Sequence, residues 1–280
     1  MTLRPWKQGL QGVVLVFFCY LAFCEFFFIT HAMNGVFRSA ASLVFIPAAR
    51  IDGQSVSYKK VIELAHGMRG FANISDKSEA FDEALQVSVY RLAINKLADE
   101  LDVTVSDDEL VAYPVSAADI ASGLETAKWD EQDYRKYIVM PLLLAQKTET
   151  AVSGNDTYQA EALDTMESLR KKLAQGMPLA DVAQNFSQDP SALSRGDLGI
   201  MSMAVLPNWM QPAVTLEVGD ISGVLSAPDA YWTLTLIEFF PSAVPEQAAI
   251  HFRGIAVKKK SFGAIVGDVR AENSPLVFVW

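Results

Sequence analysis

Residues able to support covalent or metal chemistry are few in this chain and far apart. Its three histidines are His31, His66 and His251, and its two cysteines are Cys19 and Cys24. A tetrahedral metal site gathers four ligands, and a nucleophilic triad sets a histidine beside its nucleophile. The scatter of the histidines argues against both. Both cysteines fall in one apolar stretch, so the rest of the chain has neither a disulfide nor a thiolate site. No metal and no cofactor is expected. The net charge of -10 makes a phosphate-binding surface the wrong default, and no nucleic-acid partner is expected. Lys258-Lys259-Lys260 reads as a solvated turn or strand edge.

The elements that would carry any site begin after an N-terminal apolar run. Mean hydropathy is +0.19, and much of it comes from Val13 to Thr30. As a helix this run spans about 27 Å at about 1.5 Å per residue, close to the hydrocarbon thickness of a bilayer. Arg4 and Lys7 precede it, which predicts a single-pass anchor with its N-terminus in the cytoplasm and the remaining domains outside. Glu25 is the one charge within the run, near the outer end, and phenylalanines such as Phe17, Phe18 and Phe26 to Phe28 offset it. Cleavage at Thr30-His31-Ala32 is an alternative fate. Acylation at Cys24 is disfavoured by the bulky Phe23.

From about Ala40 to Val152 the pattern is helical. A short strand over Val44 to Ile51 leads through an Asp52-Gly53 turn to a helix capped by Ser57, with Val61, Leu64, Ala65 and Met68 on its apolar side. A second helix is expected over Glu79 to Glu100. Ser106-Asp107-Asp108-Glu109 is a capping box that starts a third. A fourth begins near Asp130, and Pro141 should kink it. Ala49-Arg50-Ile51-Asp52-Gly53 and Leu101-Asp102-Val103-Thr104-Val105-Ser106-Asp107-Asp108-Glu109 resemble the N-terminal chaperone domain of the SurA, PpiD and PrsA group. That resemblance implies an all-helical domain that binds unfolded chains; a plain helical spacer is the other reading.

The most specific succession lies between Ala160 and Phe240. An amphipathic helix carries Leu163, Met166, Leu169 and Leu173 and ends at Gly176. A short helix follows, with Leu179, Val182 and Phe186 on one face. Then come Ser187-Gln188-Asp189-Pro190-Ser191, Arg195-Gly196-Asp197-Leu198-Gly199, Val205-Leu206-Pro207-Asn208-Trp209, Gly219-Asp220-Ile221-Ser222-Gly223 and the alternating strand Tyr231 to Glu238. The Arg195-Gly196-Asp197 triplet is a turn here, not an adhesion signal. In this order and spacing the blocks resemble the parvulin, or PpiC-like, peptidyl-prolyl isomerases.

The resemblance implies catalysis without covalent chemistry. Amide resonance sets a rotation barrier of about 18 to 20 kcal/mol, and a catalyst must favour the twisted X-Pro amide in an apolar, poorly solvated pocket. By resemblance the substrate-binding residues are Leu198, Val205, Trp209 and Trp232. Asp189 stands where the family carries a cysteine or aspartate beside the reacting amide; turn formation before Pro190 is its structural alternative. Two departures stand out. Trp232 occupies a position where the family has histidine. The family's first strand, which bears its other histidine, is not evident before the helices. Ile250 to Val257 resembles that strand, with Gly254 at the histidine position and His251 read as a surface residue. A permuted module is expected, in which Ile250 to Val257 pairs antiparallel beside Tyr231 to Glu238.

The expected chain is therefore α+β. It comprises an anchor with its flanks (1–38), a helical SurA-like domain (39–152), a parvulin-like domain with a small antiparallel sheet (153–241) and a C-terminal strand and tail completing that sheet (242–280). The implied activity is that of a membrane-anchored extracytoplasmic prolyl isomerase and chaperone for exported proteins. A degenerate chaperone that binds without turnover is the alternative. The implied partners are unfolded or X-Pro-containing exported polypeptides and the lipid bilayer, and the resemblance alone points to a bacterial plasma membrane.

Overall fold

The computed structural model describes residues 47–71, 74, 76–121, 129–244, 247–273 and 275–277. The apolar run Val13 to Thr30 lies outside them. No helix among the described residues is long and apolar enough to cross a membrane. They divide into two compact units, one of residues 47–100, 104–144 and 269–277, the other of 101–103 and 145–268.

The first unit opens with a hairpin. Strand β1 (Pro47–Ile51) pairs antiparallel with β2 (Gln54–Ser57), a second strand that the sequence reading did not separate from the following helix. Asp52 and Gly53 both take positive φ, 41° and 85°, which is the two-residue turn whose twist matches a hairpin. Ser57 Oγ accepts the Lys60 N–H at 3.3 Å and starts α1 (Tyr58–Phe71). Asp76 caps α2 (Lys77–Glu100), accepting from Ser78 and Glu79 at 2.7 and 2.9 Å. The capping box at Ser106 is present at the head of α3 (Asp107–Ala112).

Asp130 caps α4 (Glu131–Tyr134), which runs on through a π-helical turn (Arg135–Val139) into α5 (Met140–Ser153). The irregularity precedes Pro141, which has no N–H to return to the carbonyl four residues back. The strain resolves as a wider turn: the Met140 N–H reaches the Arg135 carbonyl, five residues back. Near the C-terminus β7 (Leu276–Val277) pairs antiparallel with β1, giving the sheet order β2-β1-β7.

The second unit is a four-stranded antiparallel sheet of order β3-β6-β5-β4, built from β3 (Asp197–Ser202), β4 (Leu225–Ser226), β5 (Ala230–Phe240) and β6 (Ala249–Lys258). The segment that the sequence marks as a displaced first strand is thus central, paired along its length with β5 and on its other side with β3. Helices α6 (Ala160–Ala174) and α7 (Leu179–Phe186) cover one face, packing Met166, Leu169 and Val182 on Tyr231, Ile255 and Val257.

The end of β6 is fastened to the start of α6. Gln159, buried, accepts the Lys260 N–H at 2.7 Å and donates to the Lys260 carbonyl at 3.2 Å. Lys259 is not a solvated lysine. Its Nζ donates to the Ser153 and Ala227 carbonyls and to Ser226 Oγ at 2.7–2.8 Å, and lies over the Tyr231 ring at 4.7 Å. Burial pulls its pKa down, opposed by Asp156 and Asp229. Tyr231 in turn donates to Asp156 Oδ1 at 2.8 Å; burial first, then that carboxylate, push its pKa up to about 12. The chain closes with α8 (Phe262–Glu272) before β7.

Candidate active site

The other face of this sheet carries three of the residues singled out by their resemblance. Alternation along β5 and β6 turns Trp232, Leu234 and Leu236 and Ile250, Phe252 and Ala256 to that side. Leu206, Met210 and Ala213 close over them from the loop that follows β3, and Leu198, Met201, Met203 and Trp209 pack at the margin. Leu198, Trp209 and Trp232 are therefore brought into one cluster. The two indoles stack, with ring centroids 5.5 Å apart and planes at 26°. Trp232 is only 8% exposed, so it forms the floor of the site, while the half-buried Trp209 offers a surface.

Val205 does not join them. It ends the 3-10 turn Met203–Val205 and is 76% exposed. In a 3-10 turn residues i and i+3 eclipse, so Met203 and Leu206 share the inward side and Val205 points out. Met203 is the residue that the sequence reading missed, and that three-residue spacing was its signal.

The two departures from the resemblance are one event in space. Gly254 pairs directly with Leu234, on the same face as Trp232. A Cβ at Gly254 would lie 2.7 Å from Leu234 Cδ2 and 3.0 Å from two carbons of the Trp232 ring. The indole occupies the space that a side chain at position 254 would need.

Asp189 is positioned by backbone stitching. Ser187 Oγ accepts the Ala256 N–H at 3.0 Å, the Gln188 N–H donates to the Ala256 carbonyl at 2.9 Å, and Gln188 Oε1 accepts the Lys258 N–H at 2.7 Å. Further along, the Gly254 N–H donates to the Gly196 carbonyl at 2.8 Å. Gly196 has φ 81°, and a Cβ there would sit 2.4 Å from the Gly254 carbonyl oxygen, so only glycine permits this approach. The Asp189 carboxylate itself caps the 3-10 helix Pro190–Ser194, accepting the Ser191 N–H at 2.8 Å. The Ser191 hydroxyl is buried and has no partner among the described residues.

His251 lies 2.8 Å from Asp197 Oδ1, across the seam between β3 and β6. That contact, and then the Gly199 N–H, hold the Asp197 carboxyl below its ordinary pKa. Neither residue belongs to the apolar cluster. Trp209 also lines a cleft of about 1140 Å³, together with Asn208, Pro228 and Lys260. Among the described residues no group of three or more His, Cys, Asp or Glu side chains could hold a metal ion.

Comparison with known proteins bears on this arrangement directly. Residues 143–238 match the family model "Rotamase: PPIC-type PPIASE domain". This match takes in the segment from α5 through most of β5, about a third of the chain. It is similar to Chaperone SurA of Cupriavidus metallidurans, 28% identical over 199 residues, covering 66% of this chain and 40% of that protein. Chaperone SurA of Burkholderia pseudomallei is 28% identical over 211 residues, covering 72% and 43%. Chaperone SurA of Chromobacterium violaceum is 31% identical over 93 residues, covering 33% and 20%. The chain thus spans less than half the length of these relatives. The parvulin-type match ends before β6, although β6 runs through the middle of the sheet that carries the site.

Proposed function

We propose that this chain is an extracytoplasmic folding factor whose parvulin-type unit binds X-Pro segments of unfolded exported polypeptides and turns them over weakly. The observation that carries the reading is the Trp232 indole lying over Gly254. Leu198, Met203 and Trp209 supply apolar walls, and Trp232 and Gly254 stand at the two positions that the resemblance gives to histidines. Hydrogen-bonding groups aimed at a transition state contribute about 10²- to 10³-fold each, and neither position given to a histidine by the resemblance holds one here. Binding needs only the apolar walls and the cleft beside Trp209. The helical unit holds the rest of the unfolded chain, and the apolar run Val13 to Thr30 tethers the protein to the bilayer with its N-terminus in the cytoplasm.

Full isomerase turnover is the second reading. Its support is the pocket itself together with Asp189, held by the stitching of Ser187 and Gln188 to β6. One experiment separates the two. X-Pro peptide isomerisation and binding of an unfolded proline-rich client are measured on the same detergent-solubilised full chain, with Leu198→Ala and Trp209→Ala beside it. The expected result is client binding that weakens about ten-fold in both variants, with an isomerisation rate at least about 10² below that of a histidine-bearing parvulin. A rate matching such an enzyme, lost in both variants, would overturn the binding reading.

A further inference from the structure

The geometry points to a second binding site, in the helical unit: a small cationic pocket that takes the C-terminal carboxylate of an unfolded polypeptide whose last residue is apolar. The pocket lies between α1, α2 and the helix that contains the π turn, with a volume of about 250 Å³. Lys60, Arg91 and Lys136 line it, and no aspartate or glutamate does, in a chain whose net charge is -10. Three like charges around one cavity are unfavourable unless an anion joins them.

Arg91 is the decisive member. Its side chain is half-buried, and it has no hydrogen-bond or ion-pair partner among the described residues. Burial alone lowers its pKa, with no carboxylate opposing the shift. A desolvated guanidinium without an anion is costly, and its planar fork suits a carboxylate held by two parallel hydrogen bonds. Of the nearby acids, Glu63 and Asp133 act on Lys136. Lys136 Nζ lies 4.8 Å from the centre of the Tyr137 ring, and Tyr137 donates to Glu63 at 2.8 Å. Glu63 is thereby engaged outside the pocket, and Lys59 approaches it at 3.9 Å.

The helix distortion opens onto the same place. Lys136 belongs to the π turn, and Met140 follows it into the lining. Single π turns inside α-helices recur at functional sites because they re-aim side chains.

The remaining walls select the ligand. Leu64, Leu92 and Met140 make one side apolar. A volume of about 250 Å³ falls below the roughly 300–1,000 Å³ of drug-sized sites and suits a single residue. An internal Asp or Glu would have to bring two flanking lengths of chain into that space, whereas a chain terminus brings one. A lipid phosphate would set polar glycerol against the apolar walls. The site rests on the reading of the chain as a chaperone of unfolded polypeptides, and it gives that activity a preference for one end of the client.

The test is fluorescence-polarisation binding of a labelled pentapeptide ending in leucine, as the free acid and as the C-terminal amide, to the detergent-solubilised full chain. The free acid is expected to bind at least about ten-fold tighter. Arg91→Met should abolish that difference, and Arg91→Lys should restore part of it. Should Arg91→Met fail to fold, the exposed pair Lys60→Gln and Lys136→Gln gives the same reading by narrowing the acid–amide gap. Equal affinities for acid and amide would overturn the proposal, as would an undiminished gap in the variants. Displacement of the peptide by inorganic phosphate at lower concentration than by isovalerate would assign the pocket to phosphate and overturn it equally. An unfolded client held regardless of its terminus would leave the chaperone reading intact and remove this site. Free-acid peptide binding without client binding would do the reverse.

Discussion

The two faces of the four-stranded sheet are made by the same two central strands, one residue out of step, and they differ in kind. Under α6 and α7 the packing is conventional. Ile255 and Val257 meet Leu169 and Val182, Thr233 Oγ1 lies 3.4 Å from Met166 Sδ, and Tyr231 reaches Asp156. On the other face stand two stacked tryptophans, a margin of methionines and a glycine with an indole over it. The two departures from the parvulin resemblance, at Trp232 and Gly254, both lie on this second face. A period of two makes that separation available: one face can be rebuilt for binding while the neighbouring residues keep the sheet on its helices.

The largest effect that would break this division is expected on the helix side. Met166 is fully buried, and Met166→Ala should cost about 2–5 kcal/mol in chemical denaturation through lost burial and the cavity left behind. Client binding by the fraction that remains folded should be unchanged. A variant of normal stability that no longer binds clients would show that the helix-covered face also serves the site.

The next effect tests the pairing of Trp232 with Gly254. Gly254→Ala should destabilise by about 1–3 kcal/mol, because the new methyl meets Leu234 and the indole. In a Trp232→Leu background the same change should cost less, with a coupling of about 0.5–3 kcal/mol in the double-mutant cycle. Strict additivity would mean that the two departures from the resemblance are unrelated.

The sequence makes the local devices legible and hides the distant ones. Ser106 with Glu109 and Asp52-Gly53 announce their structures because the atoms that satisfy each other lie within a few residues. The pairing of β6 with β5 was readable from the likeness of Ile250 to Val257 to the family's first strand, but its second neighbour, β3, was not. The role of Lys259 was not: a lysine run looks solvated until Ser153 and Ala227, remote in sequence, supply carbonyls for its ammonium. Strand β7 has two residues, with Leu276 and Val277 exposed, and nothing local to it names β1 as its partner. Leu198 and Trp209 pack on one apolar cluster, as their places in neighbouring motifs suggest. Val205 lies outside it, because a register of motifs does not reveal which way a 3-10 turn points its third residue. Met203 was hidden for the same reason.

The smallest effect sharpens the comparison at the seam of β3 and β6, away from the apolar cluster. Asp197 has its pKa lowered, first by His251 and then by the Gly199 N–H. A carboxylate whose folded-state pKa is depressed stabilises the fold fully above its unfolded value of about 3.9 and loses that contribution as pH falls through the lower, folded value. Asp197→Asn removes the charge, yet its side-chain oxygen can still accept the Gly199 N–H, so the substitution isolates the electrostatic part. The wild-type chain should therefore lose stability more steeply than the variant as pH falls below about 4 in a series of denaturant midpoints. Both should bind clients alike at neutral pH, because neither Asp197 nor His251 reaches the face that carries Trp209. Parallel acid slopes would mean that the contact with His251 leaves the folded carboxyl at its ordinary pKa. A change in client binding would extend the site to the seam and weaken the two-face division.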